Sequence, residues 1–513
     1  MLKNKLIGLS ILILVCIAGF LYWSTLQDQI LPPSKDWSRS FQTNAIEGNF
    51  SKLHSVTEEN GYTISLLDFN KLEVLSCDKE LKCEGNRTID DINTYKNSWS
   101  DQTDSYFIKE NSLIHINKTS GEKIIAPEAV NFSKSENTLV YWTENNEVVI
   151  LDSPFTIEKS RFKSKHPVYF VKILDNQIFV VTENKQEKLY TLYNITDNLT
   201  ELFSFHIGGH ENLLSVNIIQ LKDMNYAIML DKKVLAGGSS TKNIELAQFD
   251  LNKNQSSTFD KLSFLENETE LALNDIQFPT VYQGQQGPII TFSASLYDPI
   301  LGKINKIFVA DLIDNTVKAN AVTKVGNRYE RSVLLNEETV AYLRMEGKNR
   351  ILEYSSSNEI KKQETLAVMQ GDYKAAFYTL LSNLINGFLL ILFSIGWIIL
   401  TFIVTYGSLF LFNKRRWVKS HEIAFVIHLV ALFIFQSIFL VKFTYIQSII
   451  DRIPFITENW HFILLLLLAI ILSTIPLFIV RHNVSEETFN LFVLYTTFMN
   501  LSILFILIGP YLF

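Results

Sequence analysis

Two hydrophobic patterns divide the chain. Between residues 28 and 371, short apolar runs alternate with polar residues and end in polar turns, the period-2 pattern of β-strands. From Leu6 to Leu26, and again across 375–513, Leu, Ile and Phe run almost unbroken. Such runs are long enough for helices that cross a bilayer, which needs about 20 residues.

The strand region repeats itself. "LVYWTENNEVVILDS" (Leu139–Ser153) has an echo in "IFVVTENKQEKLYTLYN", with Thr182-Glu183-Asn184 lying 39 residues after Thr143-Glu144-Asn145. An apolar strand ending in Asp or Asn, a short turn and a further strand recur with anchors at Asp68, Asn117, Asp152, Asn194, Asp250, Asp311 and Ser355. The last of these is the degraded stretch "ILEYSSSNEIKKQE". Asp and Asn favour such turns because their side chains bond to nearby backbone amides. Ahead of each anchor lies another strand, such as "SYFIKE", "QIFVVT" or "PIITFS". Seven units of this kind predict an all-β domain, a seven-bladed β-propeller, in which radial stacking buries both faces of every sheet. A pair of β-sandwiches is the rival arrangement, and soft ends leave six or eight blades open. "LVYWTENNEVVILDS" would be the inner pair of strands of one blade, with either Tyr141 or Trp142 packed between blades. The units resemble the broad class of bacterial β-propeller repeats, whose consensus is an apolar strand, an Asp and a turn often containing Thr-Gly-Lys. "INKTSGEKI" matches that consensus over part of one blade, and no WD dipeptide occurs. The resemblance therefore concerns the fold and not a named family.

The apolar runs predict five transmembrane helices, one N-terminal and four C-terminal: 6–26, 388–411, 423–441, 461–480 and 489–511. Asn383, Asn386 and Gly387 separate the second from an interfacial approach. Lys414, Arg415, Arg416 and Lys419 follow that span, and Lys3 and Lys5 precede the first. By the positive-inside rule both basic stretches are cytoplasmic, which puts residues 28–371 outside the cell membrane. The first span reads as an uncleaved signal anchor. Ala18-Gly19-Phe20 is a poor cleavage site, and Val15 departs from the lipoprotein pattern before Cys16. The expected domains are thus 1–27 (anchor), 28–371 (extracytoplasmic propeller) and 372–513 (four-helix transmembrane domain). The Lys/Asn/Ile-rich composition suggests a low-GC bacterium.

Charge narrows the partners. Residues 28–371 hold 36 basic and 47 acidic residues, a net charge of −11, which argues against a nucleic-acid surface. Cys77 and Cys83 in "SCDKELKCEG" are placed to form a disulfide across a turn or to remain two thiols. "HIGGHEN" sets His206 and His210 four apart, but Gly208-Gly209 breaks a helix and the HExxH base is missing. His54, His115 and His166 have no recognisable nucleophile beside them and read as structural. Two long units, carrying "KKVLAGGSSTKN" and "YQGQQGP" with "SASLYDPILGKIN", suggest surface loops with Tyr282, Gln283, Gln285, Gln286 and Tyr297 as binding candidates. His428, Gln436, Asn490 and Asn500 in the spans suit interhelical hydrogen bonds more than a transport path. No catalytic residue, cofactor or metal site is expected. The resulting expectation is a binding or scaffolding module of the cell envelope, in contact with the lipid bilayer and with other membrane or envelope proteins. The alternatives are an accessory subunit of a transporter or signalling complex, and an envelope enzyme working at the propeller mouth.

Overall fold

The computed structural model describes residues 2–42, 46–155, 157–174, 176–221, 225–236, 239–251, 258–298, 302–312, 316–324, 327–386, 388–415, 419–443, 458–480 and 484–509. It divides into two compact units, one of residues 32–297 and 303–366, the other of 1–31, 298–302 and 367–513. The described helices are α1 (Leu2–Ile30), α2 (Glu359–Leu366), α3 (Gln370–Asn386), α4 (Phe388–Lys414), α5 (Ser420–Phe443), α6 (Asn459–Val480) and α7 (Glu486–Leu507).

Five of these, α1, α4, α5, α6 and α7, are long and apolar enough to cross a membrane. Leu390, Trp397, Leu432, Leu466 and Ile503 share their buried core. Gly396 exists for close packing: a Cβ there would lie 2.6 Å from the Phe439 ring. Polar side chains pair between helices. His428 sits between the Thr405 and Thr497 hydroxyls (3.0 and 3.2 Å), and Asn500 Nδ2 donates to Gln436 Oε1 at 2.8 Å. Each such bond spares a polar group from facing an apolar neighbour without a partner.

In the other unit the described strands form seven sheets, the blades of a β-propeller. The innermost strands are Phe50–Glu58, Ser98–Ser100, Ala129–Lys134, Val168–Leu174, Glu211–Gln220, Asn274–Gln283 and Arg328–Asn336, in blades 1 to 7. Blade 6 gains a fifth strand, Ser263–Glu266, which pairs in parallel with Thr316–Ala321. Seven hydrophobic clusters fill the seven spaces between blades. Period-2 alternation makes this possible. On the second strand of blade 3, Val140 and Trp142 pack towards blade 4, while Leu139 and Tyr141 pack towards blade 2. Both Tyr141 and Trp142 therefore lie between blades, where the sequence suggested one. "LVYWTENNEVVILDS" forms the second and third strands of its blade and not the inner pair, because Ala129–Lys134 runs inside it.

Two long units also differ from expectation. "KKVLAGGSSTKN" belongs to a hairpin whose strands, Tyr226–Ala236 and Ser239–Phe249, are 11 residues each, so most of the insertion extends the sheet. "SASLYDPILGKIN" likewise falls mainly on Pro288–Asp298 and Gly302–Asp311.

The degraded last unit has a physical explanation. After Asn349–Ser356 the chain turns into α2, so blade 7 lacks a fourth strand of its own. Glu47–Gly48 supplies it, pairing antiparallel with Ile351 and Arg350. Upstream, Phe41 and Tyr354 exchange backbone hydrogen bonds (2.8 and 2.9 Å), and Ser38 N donates to Ser356 O at 2.8 Å. Trp37, 4% exposed, fills the space between blades 6 and 7 beside Ile307, Val309, Tyr329 and Tyr342. The Tyr342 hydroxyl is fully buried and bonds Ser40 and Ser355 at 2.6 and 2.7 Å. The two ends of the propeller sequence thus share a single sheet, which closes the ring. Trp37→Ala should lower stability by about 3–5 kcal/mol, the range for a buried aromatic truncation, read as an earlier urea midpoint of the full chain. A midpoint unchanged within error would mean that this segment does not hold the ring.

Candidate functional site

The innermost strands of blades 3 to 7 lie beside one another in turn, those of blades 7 and 1 meet, and Ser98–Ser100 of blade 2 stands against the second strand of blade 1. They surround an axial cavity of 830 Å³ lined by residues from all seven blades. A second cavity of 290 Å³ shares Leu53, His54, Lys172, Asn217, Pro279 and Thr280 with the first, so the two are parts of one channel.

The chemistry of the lining is one-sided. Lys52, Lys96, Lys134, Lys172, Lys233, Lys242 and Arg331 reach it, against a single carboxylate, Asp231. None of the seven cations forms a salt bridge among the described residues. Their contacts are neutral instead. Lys52 Nζ donates to Lys96 O at 2.9 Å, and Lys134 Nζ stands 3.5 Å from the Trp99 ring centre. Arg331 stacks 4.1 Å from the Phe278 ring centre, with Lys242 Nζ at 5.3 Å from the same ring. The Arg331 Nε is buried without a hydrogen-bond partner among the described residues, as is one Asp231 carboxylate oxygen.

Backbone geometry aims these groups. The inner strands of blades 1, 3, 4, 5, 6 and 7 each carry a bulge. A bulge adds an unpaired residue and re-aims its side chain. Arg331 and Phe278 lie at two of them with φ of 50° and 52°, a left-handed conformation that side chains other than Gly adopt at a cost. Blade 5 contributes differently: Lys233 and Lys242 are register partners on its long hairpin.

Confinement weakens the charged state of these groups. Burial lowers the Lys52 ammonium to about 8, with the Arg331 charge adding to the effect. Burial likewise lowers Lys134 to about 8, although Asp101, Asp104 and Glu136 pull the other way. Lys172 and Arg331 are lowered for the same reason. Water reaches the His54 ring, but protein surrounds it at this depth. That desolvation, followed by the Lys172 charge, brings His54 down to about 4, so it is neutral at pH 7. Burial raises Asp231 to about 6 against the opposing pull of Lys242. Such a site favours an anion, which would restore the lost solvation of the cations.

The residues singled out from sequence are distributed differently. Tyr282 lines the smaller cavity of the channel. Gln283 Nε2 donates to Gln220 O at 3.0 Å, and the Gln285 amide donates to Glu337 Oε1. Gln286 is exposed on the same hairpin turn. Tyr297 lies on Pro288–Asp298 by its backbone, and its side chain is outside what the structure describes. Cys77 and Cys83 are register partners on blade 1 and their sulfurs are bonded. His206 ends a strand of blade 4, and Glu211 accepts from Lys232 Nζ at 2.9 Å. His115 pairs with Asp104 at 2.5 Å and stacks on Tyr106. The channel cations were not singled out from sequence. Their signal was at least one basic residue on or beside the inner strand in five of the seven blades, of which Lys52, Lys96, Lys134, Lys172 and Arg331 reach the channel.

No family model and no curated protein matches the chain. Among solved structures, similar folds include Kuenenia stuttgartiensis hydrazine synthase (10% identity, TM-score 0.42, covering 61% of this chain and 98% of that one). Another is the Neurospora crassa Pan2 WD40 domain (12% identity, TM-score 0.38, 62% and 96%). A third is the N-terminal domain of Nup159 (12% identity, TM-score 0.36, 63% and 96%). At these TM-scores the likenesses say nothing about function, and the blade count rests on the seven sheets themselves.

The depressed lysines set a sign for the pH dependence of stability. With a folded pKa near 8 and an unfolded one near 10.4, Lys52 binds more protons unfolded in that interval, so its contribution to stability rises with pH there. Lys52→Met removes the unfavourable charge. It should raise the melting temperature at pH 7 by about 1–3 °C, with the gain shrinking as pH rises from 8 to 10. A difference from wild type that does not change with pH would contradict this account of Lys52.

Proposed function

We propose that the chain is a membrane-anchored binding module whose propeller takes up an anionic ligand in its axial channel. The carrying observation is the lining of seven cations with no salt bridge among the described residues, in a domain whose net charge is −11. Unneutralised cations held together in a confined space destabilise the fold, and a site that bears this strain is a candidate for function. The helices serve as the anchor in this reading. Their length and apolar character support it, as do the basic residues beside α1 and α4. The propeller then faces the extracytoplasmic side, where it meets envelope components.

A second reading makes the channel an active site. Asp231, raised to about 6 and poorly hydrogen-bonded, has the properties of a general acid near neutral pH. That reading requires turnover by the full chain that is lost in Asp231→Asn, whereas the binding reading requires none.

Two measurements test the main proposal. The full chain in nanodiscs of neutral lipid should bind at least one of citrate, orthophosphate and tripolyphosphate, more weakly as salt rises. Lys172→Met with Arg331→Met should abolish that binding, and Lys159→Met, on the exposed face of blade 3, should leave it intact. Failure of all three anions to bind would overturn it. For orientation, Lys118→Cys should react with a membrane-impermeant maleimide on intact cells, and Arg415→Cys only after permeabilisation. The opposite pattern would reverse the topology.

A further inference from the structure

We infer that the channel's ligand is phosphate-rich, with several phosphate groups strung along the propeller axis; this rests on the anion-binding reading above. Two observations carry it, one of spacing and one of charge density.

The spacing comes from register. The shifts at Ser51, Val130, Tyr169 and Arg331 in blades 1, 3, 4 and 7, together with the second of the two in blade 6, at Phe278 and Pro279, give a reference level for position along the inner strands. Arg331 and Phe278 lie at that level, and Lys52 one residue beyond it. Lys172 lies three residues past the bulge of blade 4, as His54 does in blade 1, and Lys134 lies four past that of blade 3. The electrostatic neighbours agree with this ordering. Lys52 feels Arg331 at the first level, and His54 feels Lys172 at the next. At about 3.3 Å per residue, four positions span roughly 13 Å along the axis. Arg331, Lys52, Lys172 and Lys134 therefore form a staggered column and not one ring, which suits successive anionic groups better than a single one.

Charge density selects the chemistry. Seven cations against Asp231 leave about six positive charges in 830 Å³, a volume typical of a small-molecule site. A carboxylate brings one negative charge per group, whereas a terminal phosphate brings about 1.5–2 at pH 7. Phosphates neutralise the column with fewer groups in the same space. Arg331 adds a planar fork suited to phosphate oxygens, and its buried Nε lacks a hydrogen-bond partner among the described residues. Phe278 and Trp99 hold cations against their ring faces, which gives Arg331, Lys242 and Lys134 an attractive contact without a carboxylate.

The test compares tripolyphosphate, orthophosphate and citrate on the full chain in neutral nanodiscs, by calorimetry and by the rise in melting temperature. Tripolyphosphate should bind at least ten-fold more tightly than citrate and a hundred-fold more tightly than orthophosphate. Arg331→Met and Lys172→Met, from different levels of the column, should each weaken tripolyphosphate at least five-fold, and Arg331→Lys should recover only part of the loss. Melting curves of the unliganded variants show that each is folded, since losing an uncompensated cation should not lower stability. Citrate binding as tightly as tripolyphosphate would overturn the phosphate assignment and leave the anion-binding reading intact. Orthophosphate matching tripolyphosphate would overturn the column. If none of the three binds, the anion-binding reading itself fails.

Discussion

Every blade of this propeller carries two apolar faces, and a four-stranded sheet alone can bury neither. That constraint governs the domain. Val140 and Trp142 need blade 4, Leu139 and Tyr141 need blade 2, and the same demand passes from blade to blade until it returns to blade 1. An open ring would leave two apolar faces in water, at about 25 cal/mol for each Å² exposed. Closure through Trp37, Phe41 and Glu47–Gly48 is what makes the remaining six interfaces worth forming. It also explains why the segment holds on by several means at once, with a strand pair, a backbone bridge and a buried Trp37.

Closing a ring of seven sheets creates an axis that no blade covers. The inner strands have one edge paired within the blade and the other facing the channel, and unpaired strand edges are hazardous unless guarded by charge or bulges. Lysines and bulges on these strands are an ordinary answer to that hazard. The observed lining goes further than guarding requires. Edge-guarding lysines work by staying hydrated, whereas Lys52, Lys134 and Lys172 are buried enough to have lowered pKa values. A guard also needs no left-handed backbone to present an arginine, yet Arg331 has one. The excess of cost over protection is what turns the lining from a fold device into a candidate site.

The legibility of the sequence follows the same division. The second and third strands of the blades are buried on both faces, so "TLVYWT", "QIFVVT" and "PIITFS" stand out as apolar runs and reveal the repeat. The inner strands are bulged and half polar. The bulge shifts the period-2 pattern by one residue, as at Phe50/Lys52 and Val168/Phe170, so neither these strands nor the cations they carry stand out in the sequence. Pairing between distant segments was equally hidden: two residues, Glu47 and Gly48, form too short a strand to be recognised before their partner is known. The helices were more legible. Five apolar runs became five helices, and the polar residues read as interhelical bonds do pair, as His428 and Asn500 show.

Net charge conceals the channel lining for a related reason. A total of −11 over residues 28–371 describes the domain from outside and averages away a column of opposite sign at its centre. The two are compatible because the dielectric walls of a narrow channel confine the field of the lining charges, while surface carboxylates are screened within about 10 Å by ordinary salt. An anion approaching the outer surface is repelled, and one that reaches the channel mouth is drawn in. Tyr282 lines the smaller cavity at one part of this passage, and His54, which lines the same cavity, stays neutral and adds no charge of its own. Selection then depends on shape as well as sign. A ligand must be slender enough to pass between seven inner strands and charged densely enough to satisfy the column, a pair of demands that an exposed basic patch would not impose.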